Sequence, residues 1–150
     1  MFGFWLGETH PAYLVTETQL PREIKPYAYY LRVPDLAAFL ETIQPVLETR
    51  LKESAFANYT GKLKLNFYLD GLSLSFENGQ LKTVKSLSFD ELENSTANFP
   101  PLTFLHMVFG YHSIDEIKHM HKDCGTKDDL TAHLLDALFP KKISKVWPIS

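Results

Sequence analysis

The sequence predicts an α+β fold in which a mainly antiparallel β-sheet, built on a three-stranded meander, is covered by helices. Apolar and polar residues alternate with a period of two between residues 61 and 84. Apolar residues recur at helical spacing between residues 36 and 51. Two dipeptides, Asp70-Gly71 and Asn78-Gly79, interrupt the alternating stretch, where type I′ turns would close two hairpins. These observations together favour a sheet with one apolar face and helices that bury it.

The composition is typical of one compact domain. With 150 residues, 45% of them hydrophobic, the chain can bury a core without a disulfide or a metal. The formal net charge is −3 with no long run of one sign, which disfavours nucleic acid and anionic membranes as partners. No apolar run reaches the roughly 20 residues of a transmembrane helix. The single cysteine, Cys124, cannot form an intrachain disulfide, which fits a reducing cytoplasm.

The first 26 residues are predicted to be a linker from an upstream domain, and residues 27–150 to be the folded domain. The linker contains glycine, proline and the apolar aromatics Phe2, Phe4 and Trp5, which need a surface to cover them. Residues 27–33 are aromatic and β-branched, so they favour a strand, and Pro34 ends it.

A helix is expected to follow, with Asp35 as its N-cap and an apolar stripe that continues to Leu51. Pro45 lies inside this pattern and must kink or split the helix. In the meander that comes next, one face is predicted to be apolar, formed by Leu63, Leu65, Phe67, Leu69, Leu72, Leu74 and Phe76.

The second half of the chain is predicted to be a connecting loop followed by three helices and a tail. Residues 86–100 have a loop composition, with a short turn at 90–93, and the next helix ends at Gly110 as its C′ residue. Ser113 and Glu116 form a capping box that opens a helix, and Thr126 is predicted to begin the last one. The last ten residues form an extended, partly apolar tail.

Candidate catalytic and metal sites are few. A metal set can be drawn from His112, His119, His121, Asp123 and Cys124, but the spacing is irregular, so no metal site is predicted. Cys124 with His121, or Ser113 with His112 and Asp115, can be drawn as a nucleophile and its base, yet Ser113 already caps a helix. No glycine-rich phosphate loop is present in the sequence.

The aromatic content, with 11 Phe, 7 Tyr and 2 Trp, has two interpretations. Core and interface packing is the simpler one. The alternative is an apolar ligand cavity between the meander and the short helix. Its predicted lining residues are Phe67, Leu74, Phe76, Phe104, Met107 and Phe109.

Several short motifs, in order, run over nearly the whole chain: LGETHPAY at 6–13, PYAYYLRVPD at 26–35, PVLE at 45–48, YTG at 59–61, FL at 104–105, FGY at 109–111, LDALFP at 135–140 and VWP at 146–148. Together they resemble the C-terminal, sterol-carrier-protein-like domain of bacterial GNAT-family N-acetyltransferases. Acetyltransferases of the enhanced-intracellular-survival type are more distant relatives of this layout. The resemblance implies an α+β fold with a mainly antiparallel sheet covered by helices.

The resemblance also implies chemistry that this chain does not carry alone. GNAT enzymes bind the pyrophosphate of acetyl-CoA on a loop resembling Arg/Gln-x-x-Gly-x-Gly/Ala, and this sequence has no such loop. Acetyl-CoA is therefore expected only as a cofactor of a longer parent protein, whose catalytic domain would lie upstream. In distant relatives the terminal carboxylate serves as a base, and Ser150 would occupy that position here.

Three functions are open at this point. The leading hypothesis is a non-catalytic module that packs on a GNAT catalytic domain and shapes its acceptor site. The second is a stand-alone carrier of lipid or other apolar ligands, and the third is a module for homo-oligomerisation.

Overall fold

The computed structural model describes residues 10–16 and 31–143, and the chain divides into two units. The first unit comprises Met1–Arg32 with Ile143–Ser150, and its described part contains one helix, α1 (Ala12–Thr16). The predicted strand at 27–33 falls mostly outside the described residues, and the described residues 31–33 are not in a strand. Most of the predicted linker, and the tail from 144 onward with Ser150, also lie outside them.

The second unit, Val33–Lys142, contains the predicted α+β architecture. Its elements in order are α2 (Leu36–Thr42), α3 (Gln44–Lys52), β1 (Gly61–Asn66), β2 (Gly71–Glu77), β3 (Gln80–Leu87), a 3₁₀ turn (Phe89–Glu91), β4 (Ala97–Asn98), α4 (Thr103–Val108), α5 (Ile114–Met120), β5 (Gly125–Thr126) and α6 (Asp129–Leu138). Among the described residues, no helix has the length and apolar character that crossing a membrane requires.

The five strands form one mixed sheet in the order β3-β2-β1-β4-β5. The β1–β2, β2–β3 and β4–β5 pairs are antiparallel, whereas β4 runs parallel to β1. The prediction of a mainly antiparallel sheet with a three-stranded meander is therefore confirmed.

The meander has one apolar face, and helices cover it. Leu63 and Leu65 of β1 pair with Leu74 and Leu72 of β2, and all four side chains are buried. They join one core cluster with helical residues such as Leu47 of α3. Burying a leucine side chain contributes about 1.5–3 kcal/mol, so this shared core is what holds the helices on the sheet.

The predicted split of the first long helix is also confirmed. Asp35 caps α2, since its carboxylate accepts a hydrogen bond from the Ala38 amide at 2.9 Å. The helix α2 ends at Thr42, and α3 begins at Gln44 with Pro45 in its first turn, so only Ile43 separates the two helices. Proline lacks an amide hydrogen and fits the first turn of a helix, where that donor has no partner.

The two hairpins differ from each other. Asn78 (φ 49°) and Gly79 (φ 75°) form the predicted tight turn between β2 and β3. The prediction of a turn at Asp70-Gly71 is wrong, because Gly71 is the first residue of β2 and pairs with Asn66. Residues 67–70 make the reversal instead, with Tyr68 in the left-handed region (φ 73°).

Because of this shift, the alternation of buried and exposed side chains in β1 ends at Asn66 instead of continuing to Leu69. Leu69, predicted to lie on the buried face, is 78% exposed, and Phe67 is half-buried. The shift leaves Leu69 exposed at the end of the sheet, whereas Phe67 still packs against the core.

Two further boundaries differ from the prediction. The connecting loop at 86–100 contains the last two residues of β3 and the strand β4. Asp128 rather than Thr126 caps the last helix, and its carboxylate accepts hydrogen bonds from the Thr131 amide and hydroxyl, each at 2.7 Å. Thr126 lies in β5.

The predicted capping box at Ser113 and Glu116 is confirmed.

One carboxylate ties α3 to the edge of the sheet. Glu48 Oε1 accepts hydrogen bonds from Gln44 Nε2 at 2.8 Å and from the Leu81 amide at 2.9 Å. Gln44 Nε2 also donates to the Leu81 carbonyl oxygen at 3.0 Å. The two side chains thus satisfy both backbone groups of Leu81 on β3, which is an edge strand.

We expect Glu48→Ala to lower the free energy of unfolding by about 1.5–3 kcal/mol, because a charge-assisted acceptor of two bonds is lost. Chemical denaturation monitored by circular dichroism measures this change. Glu53→Ala is the matched control, since Glu53 is exposed at the end of the same helix. Equal stability of the two variants would show that the Glu48 contacts contribute nothing.

Candidate functional site

An apolar groove lies at the end of the sheet where β1 turns into β2. The loop at 67–70, the start of α2 and the start of α4 surround it, and it encloses about 510 Å³. Its lining is Val33, Pro34, Asp35, Leu36, Ala37, Phe67, Leu69, Asp70, Gly71, Leu72, Ser86, Pro101, Leu102, Phe104 and Leu105. Small-molecule sites typically have this size and a predominantly apolar lining.

The structure brings two of the six predicted ligand-contacting residues to this groove. The rings of Phe67 and Phe104 lie 5.7 Å apart between centroids, and both line it. Phe104 also packs against Phe99 and Phe139, each at 5.2 Å, so its ring joins the groove to the core.

The other four predicted residues lie elsewhere. Leu74 and Met107 are fully buried in the core. Phe76 is buried against Tyr59, with ring centroids 5.8 Å apart, and Phe109 packs against Phe39 at 5.8 Å. The apolar face of β2 was predicted correctly for Leu74 and Phe76, but neighbouring side chains pack around all four residues.

Two groove residues that the sequence analysis did not select are exposed leucines. Leu69 is 78% exposed and Leu102 is 56% exposed. Leu102 has a left-handed backbone (φ 66°, ψ −14°) at the N-cap of α4. The Pro100-Pro101 pair before it is the sequence signal that could have indicated an unusual backbone there.

A second, polar pocket of about 400 Å³ lies on the opposite face of the sheet. Lys62, Lys64 and Lys85 line it together with the acidic residues of the loop after β3. Lys85 Nζ lies 2.6 Å from Glu91 Oε1, and this hydrogen bond lowers the pKa of Glu91 to about 2, with help from Ser88. The facing charges compensate each other, so the pocket does not select one sign of ligand charge.

Three imidazoles cluster beside α4 and α5. The ring centroid of His106 lies 5.5 Å from that of His112 and 6.4 Å from that of His121. The Nδ1 atoms of His106 and His112 are buried without a hydrogen-bond partner among the described residues. Across residues 10–16 and 31–143, no group of three potential ligands is placed to hold a metal ion.

Stability should fall as the pH is lowered from 7.5 to 5.5 because of His106. Burial, followed by the charges of His112 and His121, lowers the pKa of His106. The unfolded chain then binds more protons in this range, so acidification favours unfolding until the pH passes the folded-state pKa. Denaturation midpoints across the range should show this slope in the wild type.

The matched pair for this prediction is His106→Gln and His133→Gln. The His106 variant should lose part of the slope, and the variant of His133, which is exposed on α6, is the control for replacing a histidine with glutamine. An equal slope in all three proteins would contradict the assignment to His106.

The two candidate nucleophiles, Ser113 and Cys124, both have structural roles in the fold. The Ser113 hydroxyl accepts a hydrogen bond from the Glu116 amide at 3.3 Å, as a helix cap. Cys124 is buried, and burial followed by the charge of Asp123 raises the pKa of its thiol to about 11. A thiol with a raised pKa is a poor nucleophile at neutral pH, because the thiolate is the reactive form. Neither residue has the surroundings of an activated nucleophile.

Comparisons with known proteins identified no relative of this chain. No family model matches the chain, and neither the curated proteins nor the solved structures contain a significant match.

Proposed function

We propose that this chain is a non-catalytic, sterol-carrier-protein-like module of a GNAT-family acetyltransferase, which packs on the catalytic domain and helps to shape its acceptor site. The observation that carries the proposal is the antiparallel meander whose apolar face is covered by helices. This is the architecture that the resemblance implies. The helix-capping Ser113 and the buried Cys124 thiol fit a non-catalytic module.

Two of the motifs that carry the resemblance, YTG and LDALFP, lie in closely packed parts of the second unit. In YTG, the Tyr59 side chain packs over Gly61, and a Cβ added to Gly61 would lie 2.6 Å from the Tyr59 hydroxyl oxygen. In LDALFP, Leu135, Leu138 and Phe139 are fully buried. The residues of these two motifs therefore contribute to the packing of this fold.

Acetyl-CoA binding tests the proposal on the chain itself. The purified chain should give no saturable heat with acetyl-CoA in isothermal titration, because it has no loop for the pyrophosphate. An acetyl-CoA-loop sequence should be encoded in frame upstream of Met1 or in an adjacent gene. Saturable binding by the chain alone, or the absence of any such neighbouring coding sequence, would contradict the proposal.

A second candidate function, the binding of apolar ligands, is favoured by the groove at the end of the sheet. Its volume of about 510 Å³ and its mainly apolar lining suit a small molecule. Native mass spectrometry of the purified chain separates the candidates. A co-purified organic molecule supports the carrier, a ligand-free oligomer supports the oligomerisation module, and a ligand-free monomer is expected for a module that awaits a catalytic domain.

A further inference from the structure

The groove has charges of one sign on an otherwise apolar lining. Of the 15 residues that line it, Asp35 and Asp70 are acidic and none is basic. The remaining contacts are supplied mainly by aliphatic and aromatic side chains. A ligand that matches this pattern combines an apolar body with a positive charge.

Both carboxylates retain capacity to accept hydrogen bonds. Asp35 uses Oδ1 to accept from the Ala38 amide, and its other oxygen makes no bond with the described residues. The side chain of Asp70 makes neither a hydrogen bond nor an ion pair with any described residue; its backbone carbonyl oxygen accepts from the Phe67 amide at 2.8 Å. An incoming ammonium can therefore bind without displacing an existing partner of these oxygens.

Two of the four described non-glycine residues with positive φ lie in or beside the groove. Tyr68, between the lining residues Phe67 and Leu69, has φ 73°, and Leu102 has φ 66°. Non-glycine residues rarely adopt this backbone conformation, so the contacts around Tyr68 and Leu102 must hold them in it. The Tyr68 hydroxyl donates to the Asp123 carbonyl oxygen at 2.6 Å, which fixes the loop that carries Leu69.

We infer that the groove binds a small cationic amphiphile, with its apolar body against Phe67, Leu69 and Leu102 and its protonated amine at the carboxylates of Asp35 and Asp70. This inference rests on the ligand-binding function proposed above and adds the class of ligand. The volume of about 510 Å³ favours a small molecule over a folded partner.

Three probes with the same ten-carbon chain separate charge from apolar contact: decylammonium, decanol and decanoate. Each is titrated below its critical micelle concentration into ¹⁵N-labelled protein at pH 7, and amide shifts are followed by NMR. The test variant is D35N/D70N, in which asparagine keeps the helix cap at position 35. The control variant is E53Q/E77Q, which removes two exposed carboxylates outside the groove.

The wild type and the control variant should bind decylammonium about threefold to tenfold more tightly than decanol, and decanoate more weakly than either. Shifts should be confined to amides around the groove. D35N/D70N should bind all three with similar affinity. Equal affinities in the wild type, or a preference that survives in D35N/D70N, would overturn the cationic ligand class. Absence of groove shifts with every probe would overturn the ligand-binding function itself.

Discussion

Replacing Phe104 with alanine is expected to lower the free energy of unfolding by about 3–5 kcal/mol, because it empties the space between the groove and the core. Phe104 is 2% exposed and its ring contacts three other phenylalanines. A domain of this size is stable by about 5–15 kcal/mol, so the variant should unfold at a much lower denaturant concentration. Urea denaturation followed by circular dichroism measures the change.

Phe89→Ala is the control for this prediction. Phe89 is 69% exposed in the 3₁₀ turn after β3, and its replacement should change stability by no more than about 0.5 kcal/mol. Similar losses in the two variants would mean that Phe104 does not occupy the buried position described here.

Replacing Gly79 with alanine should cost about 2–4 kcal/mol, which combines left-handed strain with a steric conflict. Gly79 has φ 75°, and a Cβ at this position would collide with the Ala57 carbonyl oxygen. That oxygen belongs to the backbone, so a side-chain rotation cannot relieve the contact. Thermal unfolding of the variant measures the loss.

Gly125→Ala is the matched control for Gly79, since a Cβ there would meet no atom within 4 Å. We expect this variant to stay within about 1 kcal/mol of the wild type. A tolerated Gly79→Ala would contradict the tight turn between β2 and β3.

The same dipeptide signal succeeded at one hairpin and failed at the other for a physical reason. Gly79 is glycine because its backbone is left-handed. Gly71 is glycine because a Cβ would collide with the Leu65 carbonyl oxygen and lie 2.6 Å from a Leu92 methyl carbon. The sequence shows a requirement for glycine at both positions, but it does not distinguish positive φ from close packing.

Local patterns predicted most of the fold. The Asp35 cap, the break at Pro45 and the capping box at Ser113 depend on contacts within a few residues, and all three were predicted correctly. The strand β4 was missed because two residues are too short to show alternation, and its pairing with β1 joins segments about 30 residues apart.

The candidate site was predicted only in part. Periodicity identifies which face of a helix or strand is apolar, but not whether other side chains already pack against that face. Phe67 and Phe104 line the groove, whereas Leu74 and Met107 face the same interior and are enclosed by other side chains. Asp70 was predicted to form a turn with Gly71. It lines the groove instead, because the chain reverses at residues 67–70 and Gly71 already belongs to β2.

Amide hydrogen exchange in β2 tests most directly whether the meander is the covered centre of this domain. The strand pairs on both sides, with β1 and with β3, and Leu72, Leu74 and Phe76 are buried beneath the helices. Its amides should therefore exchange only through global unfolding, with protection equal to the free energy of unfolding. Exchange of the Leu72–Phe76 amides within seconds, under conditions where the helices remain protected, would contradict the fold and both proposed functions.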